Sequence, residues 1–350
     1  MKSLREYSLN ITEEQYHALP SWSYSTISRY AKEGFAAMES LHESVAPTPA
    51  MEFGSLFDSI ITKGMEATEK EYAISDVSVP PAEKKVLDML HERFPKSRFE
   101  KIMFADIVDA ANAAAYQPKW KDETRVAKLE AYKDYLNMLA DGKKVISSKD
   151  WQDAIDMTYE LRSNSCTGQL FKIEDTEDIE YLYQLKFEFP HVMDNGETVM
   201  MKFMPDLVIV NHREKTIQPV DLKTSATQGW NWWKENFIKY RYDIQAHLYS
   251  DGLREVTSHI PGYEDYTILP YLFADISRSD MQPVTYRYDQ TDFTQADGFS
   301  FESNGKQYTY KRWDKLLEEI KYYEENESKV PVNIDTNKPN DILELFKNAY

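Results

Sequence analysis

The sequence predicts an α/β protein: a central mixed β-sheet flanked by helices, with a helical elaboration at the N-terminus, in a single domain over residues 1–350. Three observations carry this. Up to about residue 170 the chain is helical in texture, with apolar residues recurring at helical spacing. From about 171 to 290 it changes to short runs rich in Val, Ile, Phe and Tyr, separated by polar turns. One helix-like run then interrupts the strands before a last apolar strand, the order expected of a mixed sheet.

The elements follow in sequence. "LPSWSYSTISRYAKEGFAAM" reads as a loop entering a helix, with Ser25 or Thr26 as cap and Ile27, Tyr30 and Ala31 at helical spacing. "MEFGSLFDSIITKG" (51–64) is a second short helix after the loop "VAPTPA". Residues 65–82 read as irregular and 82–141 as helical, with "VAKLEAYKDYLNMLADG" stopping at Gly142. "SSKDWQDAIDMTYELRSN" (147–164) is a further helix, with serine and aspartate near its cap. "EYLYQLKFEF" (180–189) reads as one strand and "ETVMMKFMPDLVIVN" (197–211) as a long second one. "HREK" is a polar turn into the strand "TIQPVDLKT" (216–224), which completes an antiparallel meander. "WWKENFIKYRYDIQAHLYSDGL" is a helix ending near Gly252. "YTILPYLFADIS" (266–277) is a buried strand and "VTYRYD" (284–289) another. The C-terminal part, about 291–350, reads as helical: the amphipathic "KRWDKLLEEIKYYEENESK" (311–329), then a loop and a short last helix beyond Pro331.

The charge is -18, with 59 acidic residues against 41 basic ones, which argues against a nonspecific nucleic-acid coat. Local charge differs: from Val199 to Gln245 seven basic residues outnumber five acidic ones. The lone Cys166 excludes an internal disulfide and a cysteine zinc site, and fits a reducing cytosol. No secretory h-region is visible, and no apolar run approaches the ~20 residues of a membrane span. The seven histidines form no metal-binding motif. No phosphate-cradling glycine loop occurs, so neither ATP hydrolysis nor dinucleotide binding is indicated.

The chemistry concentrates in two strands. Asp206 follows "KFMP"; Asp221 and Lys223 lie in the next strand, two apart and therefore on one face. A hairpin about the polar turn brings Asp206 beside Asp221. Two carboxylates at close range repel unless a cation separates them, and hard oxygen donors suit Mg²⁺ or Mn²⁺. The Leu222 carbonyl is a further candidate ligand. Lys223 would orient a metal-activated water or stabilise charge developing on a phosphoryl group. Gln245 and Tyr249 share a helical face behind this patch. As a solvated strand-end salt bridge with a half-buried tyrosine behind it, the same set would have no function.

The ordered set "MPDLVIVN…TIQPVDLKTS…DIQAHLYSDG" resembles the PD-(D/E)XK nuclease superfamily, and within it the RecE-type and lambda-type phage exonucleases. "SWSYSTISRYAKEG", "EFGSLFDSII", "WQDAIDMTYELRSNSCTGQLF" and "YLFADISRSDMQPVTYRYD" extend the resemblance over roughly residues 20–290. It implies a restriction-endonuclease-like core, with Asp206 and Asp221 as metal ligands, Lys223 as the catalytic lysine, and Gln245 and Tyr249 as supporting residues. Two positions depart from it. Asp58 stands where many relatives place a histidine, and it can still bind metal or alter metal use. Gln184 stands near where a glutamate ligand is expected, with Glu180 and Glu188 nearby. The resemblance further implies processive 5′ to 3′ degradation of linear double-stranded DNA, a homo-oligomeric ring, a single-strand annealing partner, and residence in a bacterial host's cytoplasm if phage-encoded. The alternative on the same fold is a catalytically impaired protein acting in DNA binding or assembly.

Trp230, Trp232 and Trp233 can stack on bases or pack the helix against the sheet, and packing is the expectation for two of the three. Lys234, Lys239 and Arg241 are candidate phosphate contacts or a solvated helix face.

Overall fold

The computed structural model describes residues 2–43, 47–227, 229–289, 298–303 and 306–326. It divides into two compact units, one of Met1–Ala46, Lys172–Asp280 and Val284–Tyr350, the other of Pro47–Phe171 with Met281–Pro283.

The first unit is mixed α/β. Its longer helices are α1 (Tyr24–Glu33), α2 (Trp230–Tyr240), α3 (Tyr242–Ser258) and α4 (Trp313–Glu325). Its strands are β1 (Ile179–Tyr183), β2 (Phe187–Val192), β3 (Thr198–Phe203), β4 (Leu207–Asn211), β5 (Thr216–Ser225), β6 (Thr267–Ile268), β7 (Tyr271–Ser277), β8 (Pro283–Tyr288), β9 (Gly298–Ser303) and β10 (Lys306–Lys311). The main sheet has the order β8-β7-β5-β4-β1, with β6 also against β5. β1, β4 and β5 pair antiparallel, and β5 pairs parallel with β6 and β7, so the sheet is mixed. β2 with β3 and β9 with β10 form separate antiparallel ribbons.

Four expected single elements of this unit are broken. The 180–189 run splits into β1 and β2 because Gln184 takes the left-handed conformation, φ 49°. The 197–211 run splits into β3 and β4 at Met204-Pro205-Asp206; proline has no N–H for a ladder bond. The expected helix from Trp232 to near Gly252 splits at Arg241, φ 56°, and α3 runs on to Ser258 rather than stopping at Gly252. Gly252 lies inside α3 for another reason: a Cβ there would come within 2.5 Å of the Phe203 ring and 2.8 Å of Phe189. The 266–277 run likewise breaks into β6 and β7 at Leu269-Pro270.

The N-terminal segment belongs with this unit. Trp22 bridges to Met201 of β3, and its carbonyl accepts the Lys202 N–H at 2.7 Å. The α1 cap is Ser23 rather than Ser25 or Thr26; the Ser23 hydroxyl bonds to those two side chains instead of to the helix. Apolar side chains of α1, α3 and α4, among them Ile27, Leu248 and Leu317, share one core with Phe203, Val208 and Ile217. The C-terminal part contains the β9–β10 ribbon as well as α4. The expected loop and last helix beyond Pro331 lie outside the described residues.

The second unit is mainly helical. Helix Pro49–Lys63 starts earlier than expected because the Thr48 hydroxyl caps it, accepting the Met51 N–H. The stretch expected to be irregular holds helix Met65–Glu71, strand Tyr72–Ile74 and the start of helix Pro81–Arg93. That strand pairs parallel with Lys144–Ile146. The helix expected to end at Gly142 is two, Asp122–Glu130 and Lys133–Ala140. The expected helix at 147–164 is present as Ser148–Ser163, capped by Ser147.

Candidate active site

The β4–β5 hairpin sets the two aspartates together. Leu207 pairs with Val220, so Asp206, just before β4, lies beside Asp221 and Leu222. The Leu222 N–H donates to Asp206 Oδ2 at 2.7 Å. Within a strand the N–H and C=O of one residue point to the same edge, so the Leu222 carbonyl is also directed to the Asp206 side.

Asp221 is buried, and Lys223, two residues on along the same face, sits with Nζ 2.6 Å from Asp221 Oδ2. Gln245 of α3 clamps the pair. Its Nε2 donates to Asp221 Oδ1, and its Oε1 accepts Lys223 Nζ at 3.2 Å. Lys223 Nζ also lies 4.6 Å from the centre of the Tyr242 ring, a favourable position for a cation. Burial works against the ammonium, but Asp221, Tyr242, Tyr24 and Asp206 outweigh it and raise the lysine pKa above its ordinary value. Lys223 therefore stays charged across the physiological range.

Tyr249, one turn beyond Gln245, packs on Phe203 and Tyr271, with ring centres 5.7 and 6.4 Å away. Burial first, then Tyr16, Asp221 and Asp206, push its hydroxyl well above the usual tyrosine pKa. It is a neutral phenol beside two acids.

Around this centre the expected residues sort clearly. The Gln184 N–H donates to the Asp206 carbonyl at 3.1 Å, so its left-handed turn supports Asp206 through the backbone. Glu188 lies on β2 opposite Lys202 and accepts the Ser21 hydroxyl. Asp58 lies on the Pro49–Lys63 helix of the second unit, with its carbonyl accepting the Thr62 hydroxyl at 2.8 Å. Trp233 is buried and stacks on Tyr286 at 4.2 Å; Trp232 is half-buried; Trp230 is 66% exposed. Lys234 and Lys239 are exposed. Arg241 is not: it is buried, joined to Asp243 through two 2.9 Å bonds and to the Lys311 carbonyl at 2.7 Å. The surface position expected of a phosphate contact is therefore wrong for this arginine; it locks the α2–α3 break.

Two residues of the site escaped the sequence reading. Asp275 of β7 is buried opposite Lys223 on the neighbouring parallel strand. The signal was present, an acid inside the apolar run "YLFADIS". Tyr24 of α1 donates to the Tyr240 carbonyl at 2.8 Å; burial raises its pKa, with Lys223 pulling the other way and Asp221 adding to the rise. Nothing local in the sequence links α1 to β5.

Among the described residues no group of three or more His, Cys, Asp or Glu side chains is placed to hold a metal ion. The donors gathered here are two carboxylates and a directed carbonyl, all hard oxygens, and that set fits Mg²⁺ or Mn²⁺ with the remaining positions left to water. No family model and no curated protein matches the chain. No helix among the described residues is long and apolar enough to cross a membrane.

Proposed function

We propose that the chain is a metal-dependent phosphodiester hydrolase on a PD-(D/E)XK-type, restriction-endonuclease-like core, acting as an exodeoxyribonuclease on linear double-stranded DNA. The observation that carries it is the Asp206–Asp221–Lys223 group clamped by Gln245. Asp206, Asp221 and the Leu222 carbonyl would hold Mg²⁺ or Mn²⁺, which when bound polarises a phosphoryl oxygen and acidifies a water. Lys223, kept protonated by its neighbours, directs a positive charge at the reacting phosphate. Gln245 fixes the lysine and the carboxylate in one geometry. Tyr249, as a neutral hydroxyl, adds no charge to the site. The exposed Trp230, Lys234 and Lys239 supply a stacking face and two phosphate contacts on α2.

The 5′ to 3′ direction, the homo-oligomeric ring, the annealing partner and the role in phage-type recombination rest on the sequence resemblance and belong to the same proposal. A second reading is a catalytically impaired nuclease fold that binds DNA. Gln184 favours it, because a neutral residue in a left-handed turn stands where the resemblance expects an acidic ligand.

Incubation with linear, nicked and circular duplex DNA separates the two. Mg²⁺-dependent loss of the linear form alone, abolished by EDTA, Asp221→Ala and Lys223→Ala, is the expected result. Binding without digestion supports the second reading, and neither binding nor digestion sinks both.

A further inference from the structure

Lys223 has two buried carboxylates as neighbours in the sheet, Asp221 on its own strand and Asp275 on the next, and the second has no part in the chemistry above. β5 and β7 run parallel with Lys223 opposite Asp275, which places both side chains on one face of the sheet. Asp275 is 1% exposed. Its Oδ2 accepts the Ser225 hydroxyl at 3.0 Å, while its Oδ1 has no hydrogen-bond partner among the described residues. A buried carboxylate oxygen without a donor is costly and calls for one. Burial raises the Asp275 pKa to about 6, against the opposing pull of the Ser225 hydroxyl and the Lys223 charge. At neutral pH the group is therefore mostly ionised and able to accept.

Lys223 carries three N–H donors. Asp221 and Gln245 engage it in the present arrangement. A divalent cation on Asp221 would compete for the same carboxylate, and two cations sharing one carboxylate repel. The ammonium then needs another acid within reach that is not itself a metal ligand. Asp275 meets that description by register and by its unused oxygen.

We propose that Asp275 is a positioning residue that receives the Lys223 ammonium when a divalent cation takes Asp221, holding it one strand away from the metal ligands. This rests on the metal-site reading of Asp206 and Asp221.

The test is a double-mutant cycle read by calorimetric titration with Mn²⁺. Asp275→Asn keeps the shape and the acceptor for Ser225 but removes the charge. It is expected to weaken Mn²⁺ binding by about ten-fold when Lys223 is present, and to leave it unchanged in a Lys223→Met background, because coupled neighbours deviate from additivity by that order. If Asp275→Asn does not fold, the wild-type crystal structure with Mn²⁺ gives the answer, with Lys223 Nζ expected at about 3 Å from Asp275 Oδ1. Equal weakening in both backgrounds, no weakening in either, or a lysine still on Asp221 with Mn²⁺ bound overturns the proposal and leaves the metal site standing. A wild-type protein that binds no Mn²⁺ overturns both.

Discussion

Asp221–Lys223 and Arg241–Asp243 are both acid–base pairs two residues apart, both buried or half-buried, and some twenty residues from each other. They end differently. In the second pair the guanidinium meets both carboxylate oxygens and spends a further donor on the Lys311 carbonyl. Both carboxylate oxygens are engaged and the pair is closed. In the first, one ammonium faces Asp221 with Asp206 beside it and Asp275 across the strand gap. Acid exceeds base, and Asp275 Oδ1 has no donor among the described residues. The lesson is that burial of a charged pair is a poor sign of function, since structural pairs are buried too. Unspent bonding capacity and excess charge of one sign are the better sign, because a cation or substrate can use them.

The largest effect that would break this contrast is at Asp206. Asp206→Asn keeps an acceptor for the Leu222 N–H but removes a ligand charge, and is expected to slow Mg²⁺-dependent cleavage by about 10³-fold, roughly 4 kcal/mol in barrier. A nuclease assay that finds less than a tenfold loss removes Asp206 from the site.

Next comes the closed pair. Arg241→Met leaves Asp243 buried without its partner and is expected to lower stability by about 3–5 kcal/mol in urea unfolding. A loss below about 1 kcal/mol would show that the pair is not the lock of the α2–α3 break.

Asp275 sharpens the contrast through pH. Its folded pKa is raised to about 6 from an ordinary 3.8, so between those values the folded protein binds more protons than the unfolded chain. Its contribution is fully present below the lower value and is lost as pH rises through about 6, a swing on the order of 3 kcal/mol at 1.36 kcal/mol per pKa unit. Asp275→Asn should therefore gain stability relative to wild type as pH goes from 4 to 7 in parallel urea titrations. A constant difference over that range contradicts the assignment.

The smallest effect concerns packing. Gly252→Ala drives a Cβ against Phe203 and Phe189 and is expected to cost about 1–3 kcal/mol, read as a lowered urea midpoint. An unchanged midpoint would mean that the two rings yield freely.

Much of the site was legible because strand geometry is local. A four-residue turn fixes the β4–β5 register, so Asp206 had to meet Asp221, and two-residue spacing put Lys223 on the same face. The Gln245 helix face followed from helical spacing. What stayed illegible depends on φ angles and distant chain. Gln184 and Arg241 take left-handed conformations that no apolar pattern announces, and each cut an apparently continuous element in two. Gly252 looked like a helix stop, yet it is a close-approach position set by two phenylalanines some fifty and sixty residues upstream. Asp275 reached Lys223 only through a parallel pairing, whose register a sequence does not give.

The central claim, that the open pair does chemistry and the closed pair does structure, is tested most directly by one comparison. Single-turnover digestion of a linear duplex in Mg²⁺ is measured for Lys223→Ala and Arg241→Met, each rate taken per folded molecule. The account predicts a loss of about 10³-fold for Lys223→Ala and a rate near wild type for the folded fraction of Arg241→Met. Equal losses in both, or full activity in Lys223→Ala, would contradict it.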